Sequence, residues 1–155
     1  VRRCYLSLGS NLGDRAAHLA AAVVIVAAND PHRVSLVYET EPVGGVAQDD
    51  FWNLVVELDS IATPRQLLER CRSAEDARGR TRGVRWGPRT LDADVLLAGA
   101  ETSEDPEILV PHPRLYERSF VMVPLHELAP ELVSNDQLRA GVGRVVALGT
   151  LETLR

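Results

Sequence analysis

The 155-residue chain contains no lysine: all 17 of its basic residues are arginine. That absence excludes a P-loop, the strand lysine of protein kinases and any Schiff-base mechanism. Cysteine is almost as scarce. Cys4 and Cys71 stand far apart with no C-x-x-C, which argues against a disulfide framework or a zinc ribbon and fits a reducing cytoplasm. The longest apolar run, Leu19 to Ala28, is half of what a membrane span needs. The first residues already read as a strand, so no leader is expected. None of the four histidines (His18, His32, His112, His126) forms H-E-x-x-H, and no serine or cysteine stands in a nucleophile elbow. Zinc hydrolysis and covalent catalysis are therefore not indicated. Aromatics are also few, three Tyr, two Trp and two Phe, so each one beside a polar loop carries more weight.

Charge is present but uneven. The net charge of −5 disfavours nonspecific nucleic-acid binding. Yet the stretch from Arg65 to Arg89 holds eight arginines against Glu69, Glu75 and Asp76, a local +5 that leaves −10 for the remainder. A cationic patch on an acidic chain suits a small polyanion.

The cationic stretch leads into Arg85-Trp86-Gly87-Pro88-Arg89-Thr90-Leu91-Asp92-Ala93-Asp94. From Leu91 the pattern is a strand, and side chains along a strand alternate faces. Asp92 and Asp94 share one face; Leu91, Ala93, Val95 and Leu97 share the other, the expected core face. Two adjacent carboxylates repel unless a cation lies between them. Hard oxygen donors suit Mg²⁺, which commonly completes its shell with water and substrate phosphates. Arginine is the preferred partner of those phosphates. A solvent-facing polar stripe also produces Asp-x-Asp, so the pattern alone leaves both readings open.

The remaining elements fall in order. Arg3 to Leu8 is a strand, and Gly9 to Asp14 a tight turn with Asn11 or Asp14 as cap. Arg15 to Ala28 is a helix. Arg33 to Thr40 and Phe51 to Asp59 are strands joined by an enlarged loop containing Gly44-Gly45. Thr63-Pro64-Arg65-Gln66 is a capping box with proline at the first helical position, opening a helix to about Arg78. The order β-α-β-β-α-β predicts an α+β, ferredoxin-like antiparallel sheet with helices on one face. Glu107 to Val110 is a possible edge strand. Ser119 to Leu128 has helical spacing, and a terminal helix is expected over Gln137 to Leu148, giving a C-terminal helical extension in a single domain. Phe51, Phe120 and Trp86 suit either a core or stacking on a flat heterocycle. Asn53 lies on the same side of its strand as Phe51 and offers both a donor and an acceptor. His112, between two prolines, is either a loop brace or a phosphate contact.

Taken together, the 85–94 stretch closely resembles the signature of the 6-hydroxymethyl-7,8-dihydropterin pyrophosphokinase family. The resemblance covers nearly the whole chain. It includes Leu8-Gly9-Ser10-Asn11-Leu12-Gly13-Asp14, Tyr38 to Gly44, Asp50-Phe51-Trp52-Asn53, Gly79-Arg80-Thr81-Arg82, Val110 to Arg114 and Arg118 to Val121. Pro113 departs from it, standing where some members have tyrosine. The resemblance implies Mg²⁺-dependent transfer of the β,γ-pyrophosphoryl group of ATP to a pterin hydroxymethyl group. By position, Asp92 and Asp94 would hold two Mg²⁺. Phe51 and Phe120 would sandwich the pterin with Trp86 nearby, and Thr40, the Val43 backbone and Asn53 would bind its polar edge. Glu75, Arg82, His112 and Arg118 would contact ATP, while Arg80 and Arg89 would stabilise charge on the moving group. The Gly79–Gly87 loop has the glycines and cations of a closing lid. The expected partners are the two small molecules only, with no nucleic acid and no membrane, for a monomer in the cytoplasm. A nucleotidyltransferase with a two-carboxylate, two-metal palm is the rival enzyme reading. An RNA-binding sheet of the same topology is disfavoured, because Leu6, Leu8, Val55 and Leu58 present neither aromatics nor cations.

Overall fold

The computed structural model describes residues 1–42, 44–45, 47–80 and 87–155. Its centre is an antiparallel sheet formed by β1 (Arg2–Ser10), β2 (His32–Val34), β3 (Val37–Thr40), β4 (Phe51–Ser60), β5 (Asp92–Ala98) and β6 (Val145–Gly149). The order across the sheet is β5-β1-β4-β3-β6, with β2 also paired to β4. The expected α+β, ferredoxin-like core is thus present.

The second expected strand is divided in two. Ser35, buried at the break, donates its hydroxyl to the Leu36 carbonyl and accepts from Val55 N–H at 2.9 Å. A side-chain bond replaces a ladder bond there and lets the strand bend.

Two helices cover one face. Helix α1 (Arg15–Ala27) starts at Asp14, whose carboxylate accepts from Ala17 N–H. Helix α2 (Pro64–Ala77) starts at the Thr63/Gln66 capping box, with both of its hydrogen bonds made. Leu19, Val23 and Val26 of α1 and Leu67, Cys71 and Ala74 of α2 are buried against Leu6, Leu8, Leu54, Val56 and Leu58. The alternation of β1 and β4 places those residues on the helix side.

The opposite face is shorter of cover. Helix α3 (Ser119–Leu128) packs Val121, Met122 and Leu125 on Tyr5, Val55 and Leu96. A β-bulge lies where Tyr5 pairs with Leu97 but Leu6 pairs with Val95. The extra residue, Leu96, resets the alternation. Leu97 therefore packs on the α3 side with Leu96, and not with Leu91, Ala93 and Val95 as strict alternation predicts.

The terminal helix expected over Gln137 to Leu148 is also corrected. Helix α4 (Asn135–Ala140) stops at Gly141 after six residues, and the chain then forms β6 along β3. A last short helix, α5 (Leu151–Leu154), follows. Glu107 to Val110 contributes a single bridge, Val110 to Ser103, instead of a strand.

Candidate functional site

On the α3 face, the strand ends beyond the helix carry polar residues. Cross-strand pairs point to the same side. Gly9 pairs with both Asn53 and Asp92, and Ser7 with Asp94. Tyr38 pairs with Asn53, and Thr40 with Phe51. This register collects Thr40, Phe51, Asn53, Asp92 and Asp94 on one surface. Together with Glu41, Arg89, His112, Arg118 and Phe120 they line a cleft of about 230 Å³.

One wall combines two aromatic rings with a buried amide. Phe51 and Phe120 are both partly exposed to the cleft. Asn53 is buried and donates through Nδ2 to Thr40 Oγ1 at 2.6 Å. That bond fixes the amide, leaving its Oδ1 as an acceptor. Gly9 makes room for it: a Cβ at that position would stand 2.4 Å from Asn53 Oδ1. Sequence reasoning assigned Gly9 to a turn. The available signal was a glycine continuing an apolar strand, which marks close approach of another group.

The other wall is charged. Burial pushes the Asp94 carboxyl up to about 7, with Asp92 adding to the shift and Arg118 opposing it. The charged form of Asp94 is thus poorly solvated where it stands. Among the described residues no group of three or more His, Cys, Asp and Glu is arranged for a metal. The donor set is therefore two hard carboxylates facing a cleft, which fits a Mg²⁺ ion that draws its other ligands from water and phosphate. Arg80 pairs with Asp92 Oδ1 at 3.0 Å and with Glu75. Buried Glu75 also accepts from Ala93 N–H at 3.1 Å. Glu75 and Arg80 thus lie behind Asp92 and are not among the cleft-lining residues.

His112 is fixed by its backbone, whose N–H donates to the Leu96 carbonyl at 2.9 Å. Its Nδ1 accepts from Arg114 N–H at 3.1 Å. Burial, then Arg118, lowers its pKa. The ring is neutral near pH 7, with Nε2–H as its donor. Arg118 lies over the Phe120 ring, 5.5 Å from its centre, and joins the aromatic and charged walls.

Asn11, expected as a possible helix cap, leaves that task to Asp14. It is buried and accepts from Arg89 N–H at 2.8 Å. It also donates to Gln48 Oε1 and the Asp49 carbonyl, each at 2.8 Å. One side chain thereby ties the segment carrying Arg89 to the β3–β4 loop. Of the other expected site residues, Val43, Arg82 and Trp86 lie outside the described residues, as does most of the expected lid.

The chain is similar in sequence to known proteins. The family model described as 7,8-dihydro-6-hydroxymethylpterin-pyrophosphokinase matches residues 5–130. A 2-amino-4-hydroxy-6-hydroxymethyldihydropteridine pyrophosphokinase of Bacillus subtilis (strain 168) is 47% identical over 131 residues, covering 83% of this chain and 78% of its own. The protein of the same name from Methylorubrum extorquens is 49% identical over 136 residues, 86% of each chain. A bifunctional protein FolKE of Lactococcus lactis subsp. cremoris is 38% identical over 139 residues, which is 88% of this chain and 39% of that longer one. With the family model matching most of its length and two relatives near half identical across it, the chain belongs to the 7,8-dihydro-6-hydroxymethylpterin-pyrophosphokinase family.

Proposed function

We propose that the cleft transfers pyrophosphate from ATP to the hydroxymethyl group of 6-hydroxymethyl-7,8-dihydropterin, a step of folate biosynthesis. The observation that carries this reading is the joining, in one cleft, of an aromatic and amide wall with a wall of two carboxylates and arginines. The hydroxymethyl oxygen attacks the β-phosphorus of ATP and gives up its proton to solvent, the bond from that phosphorus to the α-phosphate oxygen breaks, and AMP leaves. Little covalent help is needed; positioning and charge neutralisation dominate such transfers.

Phe51 and Phe120 hold the pterin ring, and Thr40 and Asn53 engage its polar edge. The enclosed volume is below the usual range for a drug-sized ligand and suits one bicyclic ring, with ATP across the open mouth. Asp92 and Asp94 would hold Mg²⁺, two ions in this reading, which neutralises the triphosphate when bound. Arg89 and Arg118 face the same space and offer charge to the phosphate oxygens; neutral His112 donates from Nε2. Arg80 is held in reserve behind Asp92.

³¹P NMR of the protein with ATP, Mg²⁺ and the pterin tests the reading. AMP and a pterin diphosphate are expected. Pyrophosphate release would instead assign the chain to nucleotidyl transfer. No helix among the described residues is long and apolar enough to cross a membrane. We read the working unit as a cytoplasmic monomer, for which light scattering at assay concentration should give a single-chain mass.

A further inference from the structure

The family match ends at residue 130, yet residues 141–145 touch α3, which carries Phe120, and both ends of the loop that leads into β4 and Phe51. Val142 forms a parallel bridge with Arg118, at the threshold of α3 and one residue before buried Ser119. Gly141 is packed so tightly there that a Cβ would meet Ser119 Oγ at 2.5 Å and Met122 Cε at 2.6 Å. Phe120 lies between those two residues. On the other side, Arg144 N–H donates to Glu41 Oε1 at 2.9 Å, and its guanidinium pairs with Asp50 Oδ2 at 2.9 Å. Glu41 follows Thr40 and Asp50 precedes Phe51, so Arg144 grips both ends of the 41–50 loop. The next residue, Val145, pairs with Thr40 itself.

We infer that the 141–145 segment is a brace that sets the spacing between Phe51 and Phe120, with Arg144 as a positioning residue for the pterin. The inference rests on the reading that these two rings hold the pterin. Arg144 reaches the aromatic wall through Glu41 and Asp50 and makes no described contact with Arg118, Asp92 or Asp94, so its loss should act on the pterin alone, whereas Gly141 and Val142 also adjoin Arg118.

The test is equilibrium binding of 6-hydroxymethyl-7,8-dihydropterin and, separately, of Mg²⁺-ATP, together with KM and kcat. Arg144→Ala keeps the backbone bond to Glu41 and loses the bond to Asp50. It should weaken pterin binding about two- to fivefold, the scale of an exposed ion pair, with ATP affinity and kcat unchanged. Gly141→Val, which forces the segment off α3, should weaken it further, and Arg144→Lys should recover part of the loss. Unchanged pterin affinity in Arg144→Ala and Gly141→Val, both folded by thermal melting, would overturn the inference; so would equal losses for both substrates in Arg144→Ala. Phe51→Ala separates the two levels. If it weakens pterin binding while the brace variants do not, the brace fails and the ring assignment stands. If Phe51→Ala has no effect, the ring assignment fails and the brace with it.

Discussion

Asp94 is placed where it costs stability, and replacing it should show how much. Its carboxyl titrates near 7 because it is buried beside Asp92, against about 3.9 in an unfolded chain. The folded state therefore binds this proton more tightly than the unfolded state. Stability from this group is fully present below about pH 4 and is lost as pH rises through about 7. Three units at about 1.36 kcal/mol each give a ceiling of about 4 kcal/mol. The carboxylate faces an open cleft and retains some exposure, so about 2 kcal/mol is the working figure. Asp94→Asn removes the charge and keeps the shape. In EDTA, urea unfolding should find the variant close to wild type at about pH 3.5, with the difference opening between about pH 4 and 7 and reaching about 2 kcal/mol in the variant's favour at pH 8. Taking the difference between the two proteins at each pH cancels His112 and His18, whose lowered values act in the opposite direction. Turnover should meanwhile fall by several orders of magnitude. A variant less stable than wild type at pH 8, or a difference that is flat with pH, would refute the account of Asp94 as an uncompensated buried charge.

Gly9→Ala should displace the Asn53 amide and weaken pterin binding by more than tenfold with ATP binding retained; calorimetry with each substrate decides. Arg80→Ala uncovers Asp92 Oδ1, so Mn²⁺ affinity without nucleotide should rise severalfold by electron paramagnetic resonance, and an unchanged affinity would show that Arg80 does not compete there. Glu57 is buried at the far end of the α3 face, accepting from Tyr5 OH at 2.9 Å and Arg33 Nε at 2.8 Å. Glu57→Ala should cost about 2–3 kcal/mol of stability in urea titrations, with turnover at 25 °C unchanged.

Local signals carried much of this molecule. The capping box at Thr63 and Gln66 needs only four residues to be recognised, and it forms as read. The two-residue spacings of Asp92 with Asp94 and of Phe51 with Asn53 put each pair on the cleft side. Errors arose where the deciding partner lies far along the chain. Val145 to Gly149 is a short apolar run, and nothing within it separates a strand from a helix turn. The free edge of β3 decides, once Gly141 has ended α4. The bulge at Leu96 inverts Leu97 because α3 offers an apolar surface there. Asn11 looked like a helix cap because its partners, Gln48, Asp49 and Arg89, are distant in sequence.

The cleft exists because a cover is shorter than its floor. Strand β4 has ten residues and extends about 33 Å. Helix α3 also has ten residues but extends only about 15 Å. Even laid along the strand, it roofs less than half of that face. Along β4 the residues change accordingly, from Glu57 and Val55 near α3 to Asn53 and Phe51 at the cleft. Each turn added to the start of α3 would roof about 5 Å more. The dimensions of the binding space are thus a matter of helix length, and the arrival of α3 at Ser119 fixes how much of the sheet remains open to substrates.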